Sequence, residues 1–268
     1  MTYFSFLLLF LVVPIGLLLI LTVRDRRQGK IAVDFLDGWS AWLAIGLHVL
    51  LALVYTTPWD NYLVATRVWY YNPNLIAGVI LGWVPLEEYV FFILETILMG
   101  LWWLLLVRRV KTSRGFRPRR KISIVLTAVL AAVWCLAFGV LISGWKPGTY
   151  LTLILVWALP AIMLQLAFGA DILWHYRKIV ALTSLPIFLY ISVSDSLAIS
   201  SGIWTINPVQ SLRIFIGILP IEEAVFFLLT AVIISFGLTL SLERTSQERW
   251  ISWADRLFRI HFSSSESG

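Results

Sequence analysis

Charged residues are scarce in this sequence, and their scarcity excludes most classes of soluble protein. Asp, Glu, Lys and Arg together make up 13% of the 268 residues, whereas 60% of the chain is apolar. Apolar runs recur along the whole chain and leave no stretch for a separate soluble domain. The composition therefore predicts an all-α, polytopic membrane protein.

Cysteine and histidine are also rare, and this removes several kinds of site. The single cysteine, Cys135, cannot form a disulfide within the chain, and we expect it to pack as a small apolar side chain. The three histidines have no neighbours at metal-ligand spacing, and we interpret His48 as a packing residue. A glycine-rich phosphate loop and a Ser-His-Asp set are absent too, so the sequence predicts neither a metal nor a nucleotide cofactor.

Basic residues lie unevenly between the apolar spans and indicate the orientation of the chain. Eighteen of the 21 Lys and Arg residues fall on one side of the predicted membrane. We expect the protein in the cell (inner) membrane, where the positive-inside rule places the amino terminus outside and the carboxyl terminus in the cytoplasm. This distribution suits anionic membrane lipids and not nucleic acid. The seven spans cover residues 3–23, 39–57, 76–107, 122–143, 149–169, 179–194 and 212–242.

An acidic motif occurs twice in apolar surroundings, as Pro85-Leu86-Glu87-Glu88 and again 135 residues later as Pro220-Ile221-Glu222-Glu223. The register continues without a gap, and 11 of the 33 positions from Asp60 to Phe92 are identical to their partners. The matches beyond the motif are Asp60 with Asp195, Trp69 with Trp204, Asn72-Pro73 with Asn207-Pro208, Gly82 with Gly217, Val90 with Val225, and Phe91-Phe92 with Phe226-Phe227.

The duplication divides the chain into two parallel three-helix repeats joined by a linking helix. Four crossings separate the first and fifth spans, so both start on the same side and the repeats are related by an axis along the membrane normal. We assign residues 1–110 to the first repeat, 111–148 to a basic loop and the linking helix, and 149–242 to the second repeat. Residues 243–268 are expected to form a polar tail, with Trp250 and Trp253 at the interface and a disordered Ser-rich end.

Buried glutamates are costly at membrane depth and point to function. Pro85 and Pro220 are predicted to break the two longest spans, which places each glutamate pair in the first turn of a helix, where free N–H groups favour negative charge. Adjacent helical residues diverge by about 100°, so one glutamate of each pair can face a cavity while the other meets a neighbouring helix. Two such carboxyls in a low dielectric retain a proton between them and can act as an acid.

Other repeated polar residues have two readings each. Asp60 and Asp195, expected in loops, can cap turns or hydrogen-bond the glutamates. Asn72 and Asn207 fit turns first and a positioning role second. Trp69 and Trp204 fit the aromatic belt of a membrane protein or a cavity wall. Glu95, on the same helix face as Glu88 but replaced by Thr230 in the second repeat, is either a proton relay or a helix–helix contact.

Several membrane classes are excluded by residues that the motifs lack. The last span has no lysine for a retinal Schiff base. Asp60-Asn61-Tyr62 is not the aspartate-rich diphosphate motif of membrane prenyltransferases. Intramembrane CAAX-type proteases carry an arginine four residues after the second glutamate, where this chain has Phe92 and Phe227.

Two Pro-x-Glu-Glu motifs, each followed by a Phe-Phe pair on a long apolar span, resemble the integral-membrane lycopene cyclases. In that family two three-helix subunits act together or are fused, as also at the amino terminus of fungal bifunctional carotenoid enzymes. The resemblance covers residues 3–242 and indicates the fused form. Tyr89 and Glu95 have no counterparts in the second half, which puts equal roles for the two halves in question.

The resemblance implies an enzyme that cyclises the linear end groups of lycopene, or a related lipid-soluble carotenoid, to rings of the β type without a cofactor. An acid protonates the terminal alkene, an internal double bond attacks the cation, and a base removes a proton. Glu87, Glu88, Glu222 and Glu223 would supply acid and base, with Asp60 and Asp195 in support, and we expect Gln at Glu87 or Glu222 to abolish ring formation. The substrate would contact Pro85, Phe91, Phe92, Pro220, Phe226, Phe227, Trp69, Trp204, Asn72 and Asn207. Other enzymes of the carotenoid pathway are candidate partners.

Two other classes remain open from the residues alone. A proton-coupled transporter would also have repeated halves and buried carboxylates. It predicts a polar path across the membrane, whereas the acidic residues of this chain cluster at one depth. A non-catalytic assembly subunit would leave the duplication unexplained.

Overall fold

The computed structural model describes residues 1–111 and 120–252, and this part of the chain is mostly helical. Seven of its helices are long and apolar enough to cross a membrane, which confirms the all-α polytopic class. The helices are α1 (Tyr3–Leu7), continued by a π-helical turn (Leu8–Val12) into α2 (Val13–Arg27), then α3 (Trp39–Ala65), α4 (Leu86–Val107), α5 (Arg120–Ile142), a 3-10 turn (Lys146–Gly148), α6 (Thr149–His175), α7 (Arg177–Ser200) and α8 (Ile221–Leu242).

Short strands connect the helices at one end of the molecule. Two antiparallel hairpins end at Pro85 and Pro220, and helices α4 and α8 begin at the next residue, as the prolines predicted. The residues before each proline are a hairpin and not helix, because Gly82 and Gly217 adopt positive φ angles of 69° and 64° and turn the chain. The strands are β1 (Trp69–Tyr71), β2 (Ile80–Leu81), β3 (Val84–Pro85), β4 (Trp204–Ile206), β5 (Phe215–Ile216) and β6 (Leu219–Pro220).

The two halves repeat each other's hydrogen bonds. Helices α4 and α8 form a central pair, α2 and α3 pack on α4, and α6 and α7 pack on α8. Strand β1 pairs with β4 across the halves, with Tyr70 opposite Thr205, its own repeat partner, so a pseudo-two-fold axis passes between these residues. Matched bonds join Leu86 N to Val79 O (2.9 Å) and Ile221 N to Ile214 O (2.8 Å), and join Asn72 N to Ile203 O and Asn207 N to Val68 O (2.8 Å each).

The first helix of each half follows a different spacing. Tyr3 N donates to Leu75 O (2.8 Å) and Tyr150 N donates to Gln210 O (3.0 Å), so these tyrosines, 147 residues apart, are structural equivalents. The spacing differs from 135 because residues 28–38 connect α2 to α3, whereas only Tyr176 separates α6 from α7. This insertion explains why the sequence identity fades upstream of Asp60.

The inserted connection, residues 28–38, joins the ends of the two halves. Phe35 is buried and contacts the rings of Trp103 and Tyr176. The Arg108 guanidinium donates to both carboxylate oxygens of Asp37, at 2.6 and 3.0 Å. Burial alone would raise the pKa of the Asp37 carboxyl, but the hydrogen bonds from Arg108 and the Gly38 N–H, with the Arg108 charge, outweigh it and lower the pKa below its usual 3.8.

Two expectations are corrected by the fold, and part of the tail forms a helix that the sequence did not predict. Asp60 and Asp195 lie inside helices α3 and α7 and not in loops, because α3 continues through Pro58 to Ala65. Membrane helices tolerate such prolines when neighbouring groups satisfy the freed backbone. Cys135 is exposed on α5 and is not packed. In the tail, residues 244–252 are helical, and the Arg249 guanidinium forms a salt bridge with the Asp171 carboxylate (Nη2 to Oδ2, 2.9 Å). Residues 112–119 of the basic loop, Trp253 and the Ser-rich end lie outside the described residues.

Candidate active site

A small cavity lies where α4 and α8 begin, beneath the β1–β4 ribbon. Its volume of about 40 Å³ leaves room for only a few water molecules. Four carboxyl groups and ten aromatic side chains surround it, drawn from both halves of the chain. The lining residues are Tyr3, Trp59, Asp60, Trp69, Tyr71, Glu88, Phe91, Phe92, Tyr150, Asp195, Trp204, Glu223, Phe226 and Phe227.

Glu88 and Glu223 face this cavity and accept hydrogen bonds from tyrosines. The hydroxyl of Tyr3 donates to Glu88 Oε2 at 2.5 Å, and that of its equivalent, Tyr150, donates to Glu223 Oε1 at 2.7 Å. Glu88 has a second donor, because the Tyr71 hydroxyl lies 2.9 Å from the same oxygen. Burial, then the charge of Glu88, raises the pKa of Tyr71 well above 10.0, so Tyr71 keeps its proton and acts as a donor.

The other member of each glutamate pair holds the backbone. Glu87 Oε1 accepts from Ala77 N at 2.5 Å, and Glu222 Oε1 accepts from Leu212 N at 2.7 Å. Both glutamates are fully buried, and the Oε2 atom of each has no hydrogen-bond partner among the described residues. One carboxyl of each pair therefore faces the cavity, as helix geometry predicts. The other accepts from the chain segment before each hairpin, where the sequence had predicted a neighbouring helix.

Asp60 and Asp195 enter the cavity from α3 and α7. They are 1% and 2% exposed, and both lie within electrostatic range of Glu88 and Glu223. Within the described residues, neither carboxyl oxygen of Asp60 has a hydrogen-bond partner, and Oδ2 of Asp195 has none. The side chain of Trp204 contacts Asp195. The cavity thus holds two carboxyls fixed by tyrosines and two with few or no donors.

Aromatic rings close the cavity on its remaining sides. Trp59 stacks on Trp157 and Phe226, with ring centroids 4.6 and 5.5 Å apart, and meets Trp69 edge-on at 5.9 Å. The ring centroids of Trp204 and Tyr3 lie 5.1 Å apart. Ring faces of this kind stabilise a desolvated cation by about 2 kcal/mol or more each. A positive charge formed among these carboxyls would therefore meet electron-rich surfaces.

Most of the residues singled out from the sequence come together here. Ten of them line the cavity, namely Asp60, Asp195, Glu88, Glu223, Trp69, Trp204, Phe91, Phe92, Phe226 and Phe227. Pro85 and Pro220 end the hairpins, and Asn72 and Asn207 hold turns by accepting from Asn74 N (3.1 Å) and Val209 N (3.0 Å). These four residues and the backbone-bound Glu87 and Glu222 are not part of the lining.

Sequence reasoning missed Trp59 and the three tyrosines of the cavity. Tyr3 and Tyr150 are repeated, but at a spacing of 147 that the ungapped register of 135 does not detect. Tyr71 corresponds to Ile206, so no repeat signal exists for it. A comparison of helix starts instead of fixed offsets would have found the first two.

A second, larger cavity of about 460 Å³ adjoins the first. Phe92 and Phe226 line both cavities. Glu95 lines the second one. The Nδ1–H of His48 donates to Ala44 O (2.7 Å), and the ring packs over Gly237, in keeping with a packing residue.

Fold and site together define a membrane protein of two repeated halves that enclose one acid–base site in an aromatic pocket. The family model described as "Lycopene cyclase" matches residues 1–110 and 147–240, one stretch in each half. The chain belongs to this family.

Curated relatives agree with the family match. The chain is 40% identical over 205 residues to a lycopene beta-cyclase of Halobacterium salinarum, covering 76% of this chain and 84% of that one. It is 33% identical over 206 residues to a bifunctional lycopene cyclase/phytoene synthase of Aspergillus oryzae and 38% identical over 217 residues to one of Pyrenophora tritici-repentis. These matches cover 74% and 72% of this chain but 34% and 35% of the fungal proteins. No solved structure matches the chain significantly.

Proposed function

We propose that this protein is a lycopene cyclase that forms β-type rings at the ends of linear lycopene. The observation that carries the proposal is the set of four buried carboxyls around one aromatic cavity. Proton addition to an alkene and proton loss from a carbocation need only an acid, a base and a dry cation-stabilising pocket, and this cavity offers all three. The names of the relatives support the same reaction.

The reaction can be written with its protons balanced. A carboxylic acid adds a proton to the terminal double bond of the end group and leaves a tertiary cation. An internal double bond of the same end group attacks that cation, forms the ring and moves the positive charge into it. A carboxylate then removes a proton from a ring carbon and leaves a ring double bond. One proton enters and one leaves, so no electron donor is required.

The hydrogen bonds suggest how the carboxyls divide these roles. A charged carboxylate without donors is costly to bury, which favours the neutral acid at Asp60 and Asp195. Glu88 and Glu223 each accept from tyrosine hydroxyls, an arrangement that stabilises a carboxylate. The aspartates would therefore donate the proton and the glutamates would accept it. Glu87 and Glu222 position the hairpins that close the pocket.

The halves, the membrane and the partners complete the proposal. Residues 1–110 and 149–242 would act as fused subunits joined by the 111–148 linker, and 243–268 as a tail. The amino terminus would lie outside an inner membrane and the carboxyl terminus in the cytoplasm, as the bias of Lys and Arg favours. Basic loops would meet anionic lipid heads, and other enzymes of carotenoid synthesis would supply the substrate.

The test is pigment analysis of a lycopene-accumulating bacterial host that expresses the chain. We expect carotenes with one or two rings, identified by chromatography and absorption spectra. Glu88→Gln and Asp60→Asn should remove the rings, while Glu248→Gln, on the exposed helical segment, should keep them. Unchanged lycopene with wild-type protein present in the membrane would reject the proposal. The transporter alternative has no support among the relatives described above, which are named as cyclases.

A further inference from the structure

The larger cavity forms a slot between α3 and α6, with α4 and α8 behind it. We call it the α3–α6 slot. Its residues are His48, Leu51, Ala52, Tyr55, Thr56, Phe92, Glu95, Thr96, Trp157, Pro160, Ala161, Leu164, Gln165, Phe226, Thr230, Ile233 and Ile234.

The slot is deep and begins at the carboxyl cavity. On α3 it runs from Thr56 back to His48, on α6 from Trp157 to Gln165, and on α8 from Phe226 to Ile234. Each stretch advances by eight residues, which corresponds to about 12 Å along a helix. The rings of Phe92 and Phe226 separate the slot from the carboxyl cavity, so rotation of these two side chains would join them.

The walls of the slot suit a hydrocarbon. Most lining side chains are aliphatic or aromatic, and several of the polar ones donate hydrogen bonds to backbone carbonyl oxygens. The hydroxyls of Thr96 and Thr230 donate to Phe92 O and Phe226 O, at 2.8 and 3.0 Å. The amide of Gln165 donates to Ile233 O at 2.9 Å.

The mouth of the slot faces outward between α3 and α6. Leu51 and Leu164, one from each helix, are 52% and 73% exposed. In a membrane these side chains contact lipid. A ligand dissolved in the bilayer can therefore reach the slot sideways without crossing water.

On the other side of the pseudo-two-fold axis, two residues of the slot are replaced by larger side chains. Ala52 and Thr56 correspond to Ile187 and Ile191, both buried. The equivalence itself rests on matched bonds, since Tyr55 OH donates to Trp157 O (2.6 Å) and Tyr190 OH donates to Phe10 O (3.0 Å).

We propose that the α3–α6 slot binds the unreacted polyene chain of the substrate while its end group lies among the four carboxyls. The inference rests on the proposed function. A linear hydrocarbon longer than the carboxyl cavity must continue somewhere, and the slot is the adjoining apolar space with a lateral mouth. Because Ile187 and Ile191 narrow the opposite side, the substrate has one orientation relative to the halves. The two ends of one molecule then react in separate binding events, and the one-ring product leaves and turns round before the second ring forms.

Slot-filling variants test the proposal. Ala52→Ile and Thr56→Ile copy the residues that narrow the other side, and Ala161→Phe fills the slot from α6. Gly46→Phe is the control, because Gly46 lies exposed on α3 with no neighbouring atom within 4 Å of an added Cβ. We expect the fillers to slow ring formation at least about tenfold, as misplaced substrates do, and the control to match wild type. If the slot-filling variants form rings as fast as the control, the proposal that the slot binds the polyene chain is rejected.

Pigment binding separates this inference from the proposed function. A Glu88→Gln/Glu223→Gln variant, purified from the lycopene-accumulating host, should retain lycopene, measured by absorbance per mole of protein. Adding Ala52→Ile or Ala161→Phe should remove most of that pigment, whereas adding Gly46→Phe should not. Wild-type protein that binds lycopene in the slot but forms no ring would reject the cyclase function alone. Equal pigment in filler and control variants would reject the slot, whether or not rings form.

Discussion

At the scale of single residues, the two carboxyls of each acidic pair have different partners. Glu88 accepts from two tyrosine hydroxyls at the cavity, whereas Glu87 accepts from the backbone N–H of Ala77. The neighbouring chain positions therefore separate a proposed chemical role from a positioning role. Substitution by Gln distinguishes them, because it removes the charge and keeps one acceptor oxygen.

We predict that Glu88→Gln abolishes ring formation and that Glu87→Gln keeps it. This replaces the expectation from the sequence that Gln at Glu87 or Glu222 abolishes it, because these two carboxyls bind the backbone and do not line the cavity. In Glu87→Gln the new side-chain amide oxygen can still accept from Ala77 N, so the loss is one of stability, about 1 kcal/mol. The same contrast applies to Glu223 and Glu222. Pigment composition in the host measures the first effect, and the unfolding temperature in detergent measures the second. Ring formation by Glu88→Gln at the wild-type rate would contradict the assignment.

The tyrosines give a second, asymmetric prediction. Tyr150→Phe leaves Glu223 without a hydroxyl donor, whereas Tyr3→Phe leaves Glu88 with Tyr71. A hydrogen bond to a charged group contributes about 1.5–3 kcal/mol, so Tyr150→Phe is expected to lower the cyclisation rate by roughly ten- to hundredfold. Tyr3→Phe should cost less, and Tyr3→Phe with Tyr71→Phe should cost as much as Tyr150→Phe. Initial rates in isolated membranes would show the order, and equal single-variant rates would argue against it.

At the scale of secondary-structure elements, the two hairpins carry the chain into α4 and α8. Gly82 and Gly217 both have positive φ, but only Gly82 is crowded, because an added Cβ would strike the side-chain oxygen of Asn61. That oxygen also accepts from Trp83 N at 2.8 Å. The repeat partner of Asn61 is Ser196, so the second hairpin lacks this contact.

We predict that Gly82→Ala destabilises the protein more than Gly217→Ala. Both variants carry the strain of a positive φ angle, of order 1 kcal/mol, and Gly82→Ala also displaces Asn61. Thermal unfolding of the purified variants would measure the difference. A Gly217→Ala variant that unfolds at the lower temperature would show that the Asn61 contact does not matter.

The connection between α2 and α3 predicts a dependence of stability on pH. The pKa of Asp37 is lowered in the folded protein, so its pairing with Arg108 stabilises the fold above the unfolded pKa of 3.8 and is lost as pH falls through the lower folded value. Asp37→Asn should therefore unfold at a lower temperature than wild type near pH 6, and the gap should shrink progressively as the pH falls below 3.8. Lys30→Gln is the control. Lys30 pairs with Asp25, and in this variant Asp25 keeps its other salt bridge, to Arg109 at 2.8 Å. A gap that stays constant with pH would contradict the pairing.

The elements show which features a sequence can predict. The prolines predicted where α4 and α8 begin, because a proline fits the position before a helix and interrupts one further along. The second span was predicted to end at residue 57, but α3 continues through Pro58 and carries Asp60 into the cavity, because tertiary neighbours decide whether a proline ends a membrane helix. Local residue patterns do not contain those neighbours. Tyr3 was missed for a related reason, since an insertion between helices moved it out of register.

At the scale of the whole molecule, each half supplies part of a single site. Tyr3 and Glu88 come from the first half, and Tyr150 and Glu223 from the second, yet all four line the same cavity. The β1–β4 ribbon and the α4–α8 pair hold the halves together. Neither half alone supplies all four of the carboxyls that line the cavity, and neither can enclose it.

We predict that the chain still works when it is cut between the repeats. Residues 1–115 and 116–268 expressed as two chains in one lycopene-accumulating host should form rings, and either chain alone should not. Glu88→Gln in the first chain, or Glu223→Gln in the second, should inactivate the pair, because both carboxyls serve one cavity. Rings formed by a single half would mean that each repeat builds a complete site. In that case the pseudo-symmetry would reflect two active sites. The one-sided slot would then not impose an order on the reaction of the two ends of the substrate.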